Sequence, residues 1–129
     1  SKVLTVVGGE NVSLEIDVAC KEELKNVIVG FYFKDRLGQR IFGDNTYLSY
    51  IDSPYLAPAN AKLIAKFDFR MPILPPGDYS IDVAFASGTQ ESHTQHHWIH
   101  DAMTFKSIAS GISTGLVGVP MKEIKIIRG

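Results

Sequence analysis

The sequence has little of what several classes of protein require. Its 129 residues include a single cysteine, Cys20, so no disulfide can form within the chain, which fits a reducing cytoplasm. No apolar run approaches the roughly 20 residues that span a bilayer. The 13 Lys and Arg are scattered and offset by 14 Asp and Glu, whereas nucleic-acid-binding domains carry a clustered basic face. The composition therefore argues against nucleic acid and against a charged membrane surface as partners.

Signatures of nucleotide binding and catalysis are also missing. The nearest approach to a phosphate loop has Asp44 and Asn45 where Lys and Ser or Thr belong. No serine lies in a Gly-x-Ser-x-Gly elbow, and Cys20 follows an apolar alternation that predicts a buried, unreactive thiol. A glycosidase would need two carboxylates across a cleft, and nothing in the sequence makes any pair converge. We therefore predict no enzyme activity, no catalytic residue and no cofactor. The carboxylates available for such a pair are Asp35, Asp44, Asp82 and Asp101.

Four histidines crowd into eight positions and raise the question of a metal site. They are His93, His96, His97 and His100. On a strand, His96 and His100 would stand about 13 Å apart, too far for one ion whose ligands lie at about 2 Å. A helix would bring the two rings together, but the pattern around Trp98 is that of a strand. We predict no metal site and a polar, hydrogen-bonding patch instead.

Apolar and polar residues alternate over most of the chain, as in half-buried strands. Clusters of Gly, Pro, Asn and Asp separate the alternating runs. Seven or eight short strands with regular turns predict an all-β fold, an antiparallel β-sandwich, and the length fits one domain over residues 1–129. The strands are expected over 12–20, 27–34, 63–69, 79–85 and 96–105, with a last one marked by Ile124 and Ile126.

Two further features bear on architecture. The sequence Pro76-Gly77-Asp78-Tyr79 is typical of a tyrosine corner, in which the phenol bonds back to nearby backbone. Residues 107–120 are rich in Gly and Ser and predict a flexible hinge before a terminal strand at 121–128. Such a hinge suits the exchange of that strand between two copies; an ordinary surface loop is the alternative.

Sugar binding is the chemistry that the remaining polar segments favour. A sugar offers an apolar ring face and many hydroxyls, which exposed aromatics and planar polar side chains can bind. Residues 90–101 and 42–50 combine such side chains densely. Trp98, the only tryptophan, has an alternative role as a sandwich-core residue.

Two longer runs resemble a known family. One comprises Val29-Gly30-Phe31, residues 34–39 and Phe42-Gly43-Asp44-Asn45-Thr46-Tyr47; the other comprises residues 77–81 and Gln95-His96-His97-Trp98-Ile99-His100-Asp101-Ala102. They are similar to the C-terminal domain of the ATPase subunit of Wzt-type O-antigen polysaccharide ABC exporters. The resemblance implies an immunoglobulin-like β-sandwich that binds the modified non-reducing end of the glycan, and a dimer with an exchanged C-terminal strand.

The resemblance also sets the expected partners and place of action. The partners are O-antigen polysaccharide, a second copy of the chain, an N-terminal nucleotide-binding domain of the same protein and the membrane-spanning exporter subunit. The place of action is the cytoplasm, at the inner membrane face. The alternative is a dimerisation module that does not bind glycan. From the sheet faces opposite the core, we expect the carbohydrate to contact Tyr32, Tyr50, His96, Trp98, His100 and Asp101.

Overall fold

Seven strands supply nearly all the regular structure of the described residues. The structure, a computed structural model, describes residues 4–88, 93–109 and 115–128. Besides the strands there is one turn of 3-10 helix, Leu48–Tyr50, and no described helix has the length and apolarity needed to cross a membrane. The strands are β1 (Thr5–Val6), β2 (Asn11–Ala19), β3 (Val27–Asp35), β4 (Arg40–Asn45), β5 (Lys62–Arg70), β6 (Gly77–Gly88) and β7 (His93–Ser107).

The strands form two sheets. Five of them pair in the order β1-β7-β6-β3-β4, and β2 pairs with β5 alone. All pairs are antiparallel except the short parallel pair of β1 with β7. Strands β3, β6 and β7 opposite β2 and β5 reproduce the central strands of the immunoglobulin arrangement. The expected all-β class is confirmed.

A shared aromatic core joins the two sheets. Phe31 and Phe33 of β3 are 4% and 1% exposed. The ring of Phe31 lies 4.9 Å from that of Phe67 on β5, and Phe33 lies 6.1 Å from Phe69. Because side chains of a strand alternate between faces, this packing turns Tyr32 and its outward neighbours toward solvent. The sheets are therefore packed face to face, as in a β-sandwich.

The tyrosine corner is present. The Tyr79 side chain is buried, and its hydroxyl donates a hydrogen bond to the carbonyl oxygen of Pro75 at 2.6 Å. Its ring stacks on that of Phe105, with centroids 5.5 Å apart. The bond fixes the turn that leads into β6, the central strand of the larger sheet.

The C-terminal segment differs from the sequence-based expectation. Residues 121–128 form no strand within the chain, and Ile124 and Ile126 are 89% and 99% exposed. Gly118 instead makes an isolated bridge with Ile73. Alternation alone could not show whether a strand edge lies within reach of this segment. Of the expected hinge, residues 110–114 lie outside the described residues. Strand exchange stays a prediction, since only a second copy could form it.

The corner predicts a loss of stability on removal of one oxygen atom. Tyr79→Phe deletes the hydrogen bond to Pro75, so the free energy of unfolding should fall by about 1 kcal/mol. Urea denaturation at pH 7 measures the change. Tyr55→Phe serves as the control, because Tyr55 is 41% exposed and should change stability by less than about 0.5 kcal/mol. Equal effects of the two substitutions would contradict the role of the corner.

Candidate functional site

The outer face of the larger sheet has a floor of small residues. Gly30 on β3 pairs with Ala84 on β6, and Gly43 on β4 pairs with Tyr32. A Cβ at Gly43 would meet the Phe31 carbonyl and lie 2.8 Å from the Tyr32 ring. Glycine at this position therefore lets β4 lie close beneath Tyr32. Ala86 extends the floor of small residues along β6.

An aromatic wall stands beside this floor. The rings of Tyr32 and Trp98 are stacked, with centroids 5.7 Å apart and planes 20° apart. The Arg40 guanidinium lies 4.1 Å from the centroid of Tyr32 and 5.4 Å from that of Trp98, within the range of cation–π attraction. The His100 ring continues the row 5.7 Å beyond Trp98. The wall thus consists of four side chains with flat faces, which come from β3, β4 and β7.

Floor and wall enclose an open cavity of about 360 Å³. Two amide side chains contribute to its lining in addition to Tyr32 and Trp98. The Gln95 amide nitrogen donates to the carbonyls of Phe85 and His97, which leaves its carbonyl oxygen as an acceptor. The Asn45 side-chain oxygen accepts the backbone N–H of Tyr47, which leaves its NH₂ group as a donor. The cavity is lined by Ile28, Gly30, Phe31, Tyr32, Gly43, Asp44, Asn45, Ala84, Ala86, Gln95 and Trp98.

The Trp98 indole N–H is a further donor beside the cavity. Its Nε1 atom is buried and has no hydrogen-bond partner among the described residues. Buried polar groups in folded proteins are nearly always paired, and an unmade hydrogen bond costs free energy. A half-buried wall residue with an unpaired donor is typical of a binding surface more than of a closed core.

A buried carboxylate organises the end of the wall. Asp82, 2% exposed, accepts a hydrogen bond from Lys34 Nζ at 2.9 Å and from the Asp101 backbone N–H at 2.9 Å. The other carboxylate oxygen lies 3.1 Å from His100 Nδ1. A carboxylate can only accept, so Nδ1 is the donor and the imidazole is held with Nε2 directed away from Asp82.

These contacts set the charge state of the cluster. Burial by itself raises the pKa of the Asp82 carboxyl, but the hydrogen bonds from Lys34, Asp101 and His100 outweigh it and hold that pKa below its usual value. The bond to Asp82 raises the pKa of Lys34. The Ser80 hydroxyl, and then Lys34 at 3.2 Å, lower the pKa of the Asp101 carboxyl. Asp82, Asp101 and Lys34 are therefore all ionised at neutral pH.

A bulge in β7 brings Asp101 to this position. The register of β6 and β7 shifts between Ile81 and Val83, and Asp101 has a φ of 54°. Asp tolerates this left-handed conformation better than most residues, and bulges redirect side chains beside functional sites. The bulge places the Asp101 amide on Asp82 and its carboxylate beside Lys34.

The comparisons with known proteins fit this structure. The profile of the Wzt C-terminal domain family matches residues 1–119. The chain belongs to the Wzt C-terminal domain family. A solved structure described as the C-terminal domain of Wzt aligns over 97% of this chain and 74% of its own, with a TM-score of 0.79 and 17% sequence identity. At that identity the likeness establishes the fold. A search of curated proteins finds no match.

The family match confirms the resemblance seen in the sequence. Membership supports a role for this Wzt C-terminal domain in an O-antigen exporter. Which ligand the domain holds has to be argued from its own surface.

The structure brings together four of the six residues expected to contact carbohydrate. Tyr32 and Trp98 line the cavity, while His100 and Asp101 form the adjoining cluster around Asp82. These residues lie on β3 and β7, which are separated by β6 in the sheet. Their proximity follows from strand pairing that one sequence does not reveal.

The other two expected contacts, Tyr50 and His96, do not line the cavity beside Trp98. Tyr50 sits in the 3-10 turn after β4, where its ring packs edge-to-face on Tyr55. The β7 register shifts opposite Phe85 and Ala86, so simple alternation fails at His96. Its ring packs against Phe85 and its Nε2 lies 2.7 Å from the Ser87 hydroxyl. Within the described residues, no three metal-ligating side chains converge.

Sequence reasoning missed the residues that complete the site in this Wzt C-terminal domain. Arg40, Asn45 and Gln95 were not among the expected contacts, because their role depends on which strands are neighbours. A signal was available for Asp82, which is an acidic residue between the small outward-facing residues Ser80 and Ala84 of its strand.

The cluster predicts a pH-dependent contribution to stability. The Asp82 pKa is lowered on folding, so its stabilisation is present above the unfolded value of about 3.9 and is lost as the pH falls through the folded value. Asp82→Asn should lower the free energy of unfolding at pH 7 by roughly 1–3 kcal/mol. The difference from the wild type should shrink in acid. Urea denaturation at several pH values measures both effects.

Asp68→Asn is the matched control for this experiment. Asp68 is 66% exposed and lies 3.8 Å from Lys66, so the substitution should cost less than about 1 kcal/mol at every pH. A pH-independent effect of Asp82→Asn would show that the carboxylate acts through its shape and not its charge.

Proposed function

We propose that the chain is a non-catalytic module that recognises the modified non-reducing end of an O-antigen polysaccharide and couples it to export by an ABC transporter. It would act in the cytoplasm at the inner membrane face, beside an N-terminal nucleotide-binding domain of the same protein and the membrane-spanning subunit. The observation that carries the proposal is the outer-face cavity between the Tyr32–Trp98 wall and the side chains of Asn45 and Gln95.

The cavity suits a sugar ring in three respects. Trp98 and Tyr32 offer flat apolar surface to a ring face. The free Gln95 carbonyl accepts from a hydroxyl, and the free Asn45 NH₂ group donates to one. Among the lining residues, Asp44 alone is charged, and its carboxylate can accept a hydrogen bond from a further hydroxyl of the sugar.

The expected affinity of one site is low. Aromatic contacts contribute about 0.5–1.5 kcal/mol beyond area burial, and a typical hydrogen bond about 1 kcal/mol. The loss of translational and rotational freedom offsets much of this gain. Two linked sites would bind a polymer more tightly if both could be occupied together.

Removal of an aromatic ring from the wall should weaken glycan binding. Trp98→Ala and Tyr32→Ala each delete a stacking surface, so calorimetry with the cognate O-antigen polysaccharide should show at least a roughly tenfold loss of affinity. Tyr50→Ala is the matched control, because Tyr50 is an exposed aromatic residue outside the cavity.

Two results would overturn the proposal. One is a folded wild-type domain that binds no cognate polysaccharide by calorimetry or by retention of labelled glycan. The other is an equal loss of binding in the Tyr50 and Trp98 variants. Shortening of the polymer on incubation would instead indicate a glycosidase.

A specific observation also favours the alternative, a dimerisation module, and dimerisation is compatible with glycan binding. Ile124, Ile126 and Ile127 are 89%, 99% and 75% exposed. Ile99 and Met103 on β7 pair with the inward positions Val83 and Ile81, yet they are 41% and 46% exposed. The two-stranded sheet leaves this part of the inner face uncovered. We propose that the terminal segment of a second copy is exchanged and buries its isoleucines.

Charges in the terminal segment should then disrupt the dimer. The double substitution Ile124→Lys and Ile126→Lys would place ammonium groups in the apolar contact, so the wild type should sediment as a dimer and the variant as a monomer. Leu37→Lys, in an equally exposed turn position at 86%, is the control and should stay dimeric. A wild-type monomer at high concentration would refute exchange.

A further inference from the structure

A second cavity of about 500 Å³ lies near the first. Ser80, Thr104 and Lys106 contribute to its lining from β6 and β7. Ser80 pairs with Thr104 and with Lys34, so these positions share the outward face that carries Tyr32 and Trp98.

The two cavities are close enough to hold neighbouring sugar residues of one polysaccharide. Trp98 lies opposite Ala84, and Thr104 lies opposite Ser80. Four residues along β6 correspond to about 13 Å, more than the length of one sugar ring. The cluster around Asp82 lies between these points, and its members Lys34 and Asp101 line the second cavity.

The charges that line the second cavity are balanced. Three cationic residues, Lys34, Arg36 and Lys106, face three acidic ones, Asp35, Asp78 and Asp101. Lys34 lies 3.2 Å from Asp101, and Lys106 lies 3.6 Å from Asp78. Such a surface supplies donors and acceptors for hydroxyl groups side by side. It has no net charge with which to attract an anionic polymer.

We propose that this second cavity is a subsite for the sugar residues that follow the non-reducing end, and that these residues are uncharged. The inference rests on the proposed binding of the terminal residue in the first cavity. The first cavity would then recognise the terminal sugar of the polysaccharide, and the second would recognise the sugars of the repeating unit to which that terminal sugar is attached.

Fragments of defined length test the subsite. The fragments are oligosaccharides of one, two or three residues that carry the modified non-reducing end of the cognate polysaccharide and are made by synthesis. The wild type should bind the three-residue fragment roughly tenfold more tightly than the terminal residue alone, since about one or two added hydrogen bonds suffice. Thr104→Tyr should fill the cavity and remove this gain while leaving affinity for the single residue unchanged.

Two further variants keep this test interpretable. Thr94→Tyr makes the same change at an exposed position of β7 outside both cavities, and it should retain the gain. Lys106→Ala deletes a donor without adding bulk and should reduce the gain in part.

The outcomes separate this inference from the proposed function. Equal binding of all fragments by the wild type, or equal behaviour of the two tyrosine variants, would overturn the subsite while leaving recognition of the end intact. Failure of every fragment to bind would refute the proposed function itself. An affinity for the longer fragment that falls steeply between roughly 0.05 and 0.5 M salt would overturn the assignment of uncharged residues.

Discussion

The contact of Phe31 and Phe33 with the phenylalanines of β5 is the constraint on which the rest of the structure depends. It joins the two sheets, and burial of each ring is worth about 2–3 kcal/mol. It also fixes which face of β3 is inside, since a one-residue slip would exchange the two faces. Phe31 and Phe33 are held in the core, so the alternate residues Tyr32 and Lys34 face outward. The site on the outer face is thus a consequence of the core on the inner one.

On that outer face, the small residues and the charged residues lie in separate, adjacent regions. Gly30, Gly43 and Ala84 leave the space that Tyr32 and Trp98 border, while Asp82 gathers Lys34, His100 and Asp101 next to it. A buried ion cluster of this kind is weak evidence for stability, because desolvation opposes the attraction. Its clearer effect is geometric, since each hydrogen bond fixes the position of a side chain that borders a cavity.

This division agrees with the module that we propose, which binds without catalysis. The pKa values of Asp82 and Asp101 are both lowered, so this pair of carboxylates lacks the member with a raised pKa that hydrolysis of a sugar by an acid and a base needs. A face with balanced charges suits the reversible contact with a polymer that we propose. The exposed terminal isoleucines are proposed to pack on the inner face of the larger sheet, whereas the glycan is proposed to bind the outer face. Glycan binding and association of two copies therefore need not compete.

The sequence by itself determined the strand pattern, the tyrosine corner, the buried Cys20 and, through two long motifs, the family. These features are local or depend on period-two alternation, which burial on one side of a sheet imposes directly. Only the tertiary structure decided the site. Tyr32, Arg40, Asp82 and Trp98 lie on four strands, and pairing across the sheet brings them together. The bulge that places the Asp101 amide on Asp82 shifts the register by two residues, and the bulge that turns His96 toward Ser87 shifts it by one. Alternation read along a single strand cannot foresee such shifts.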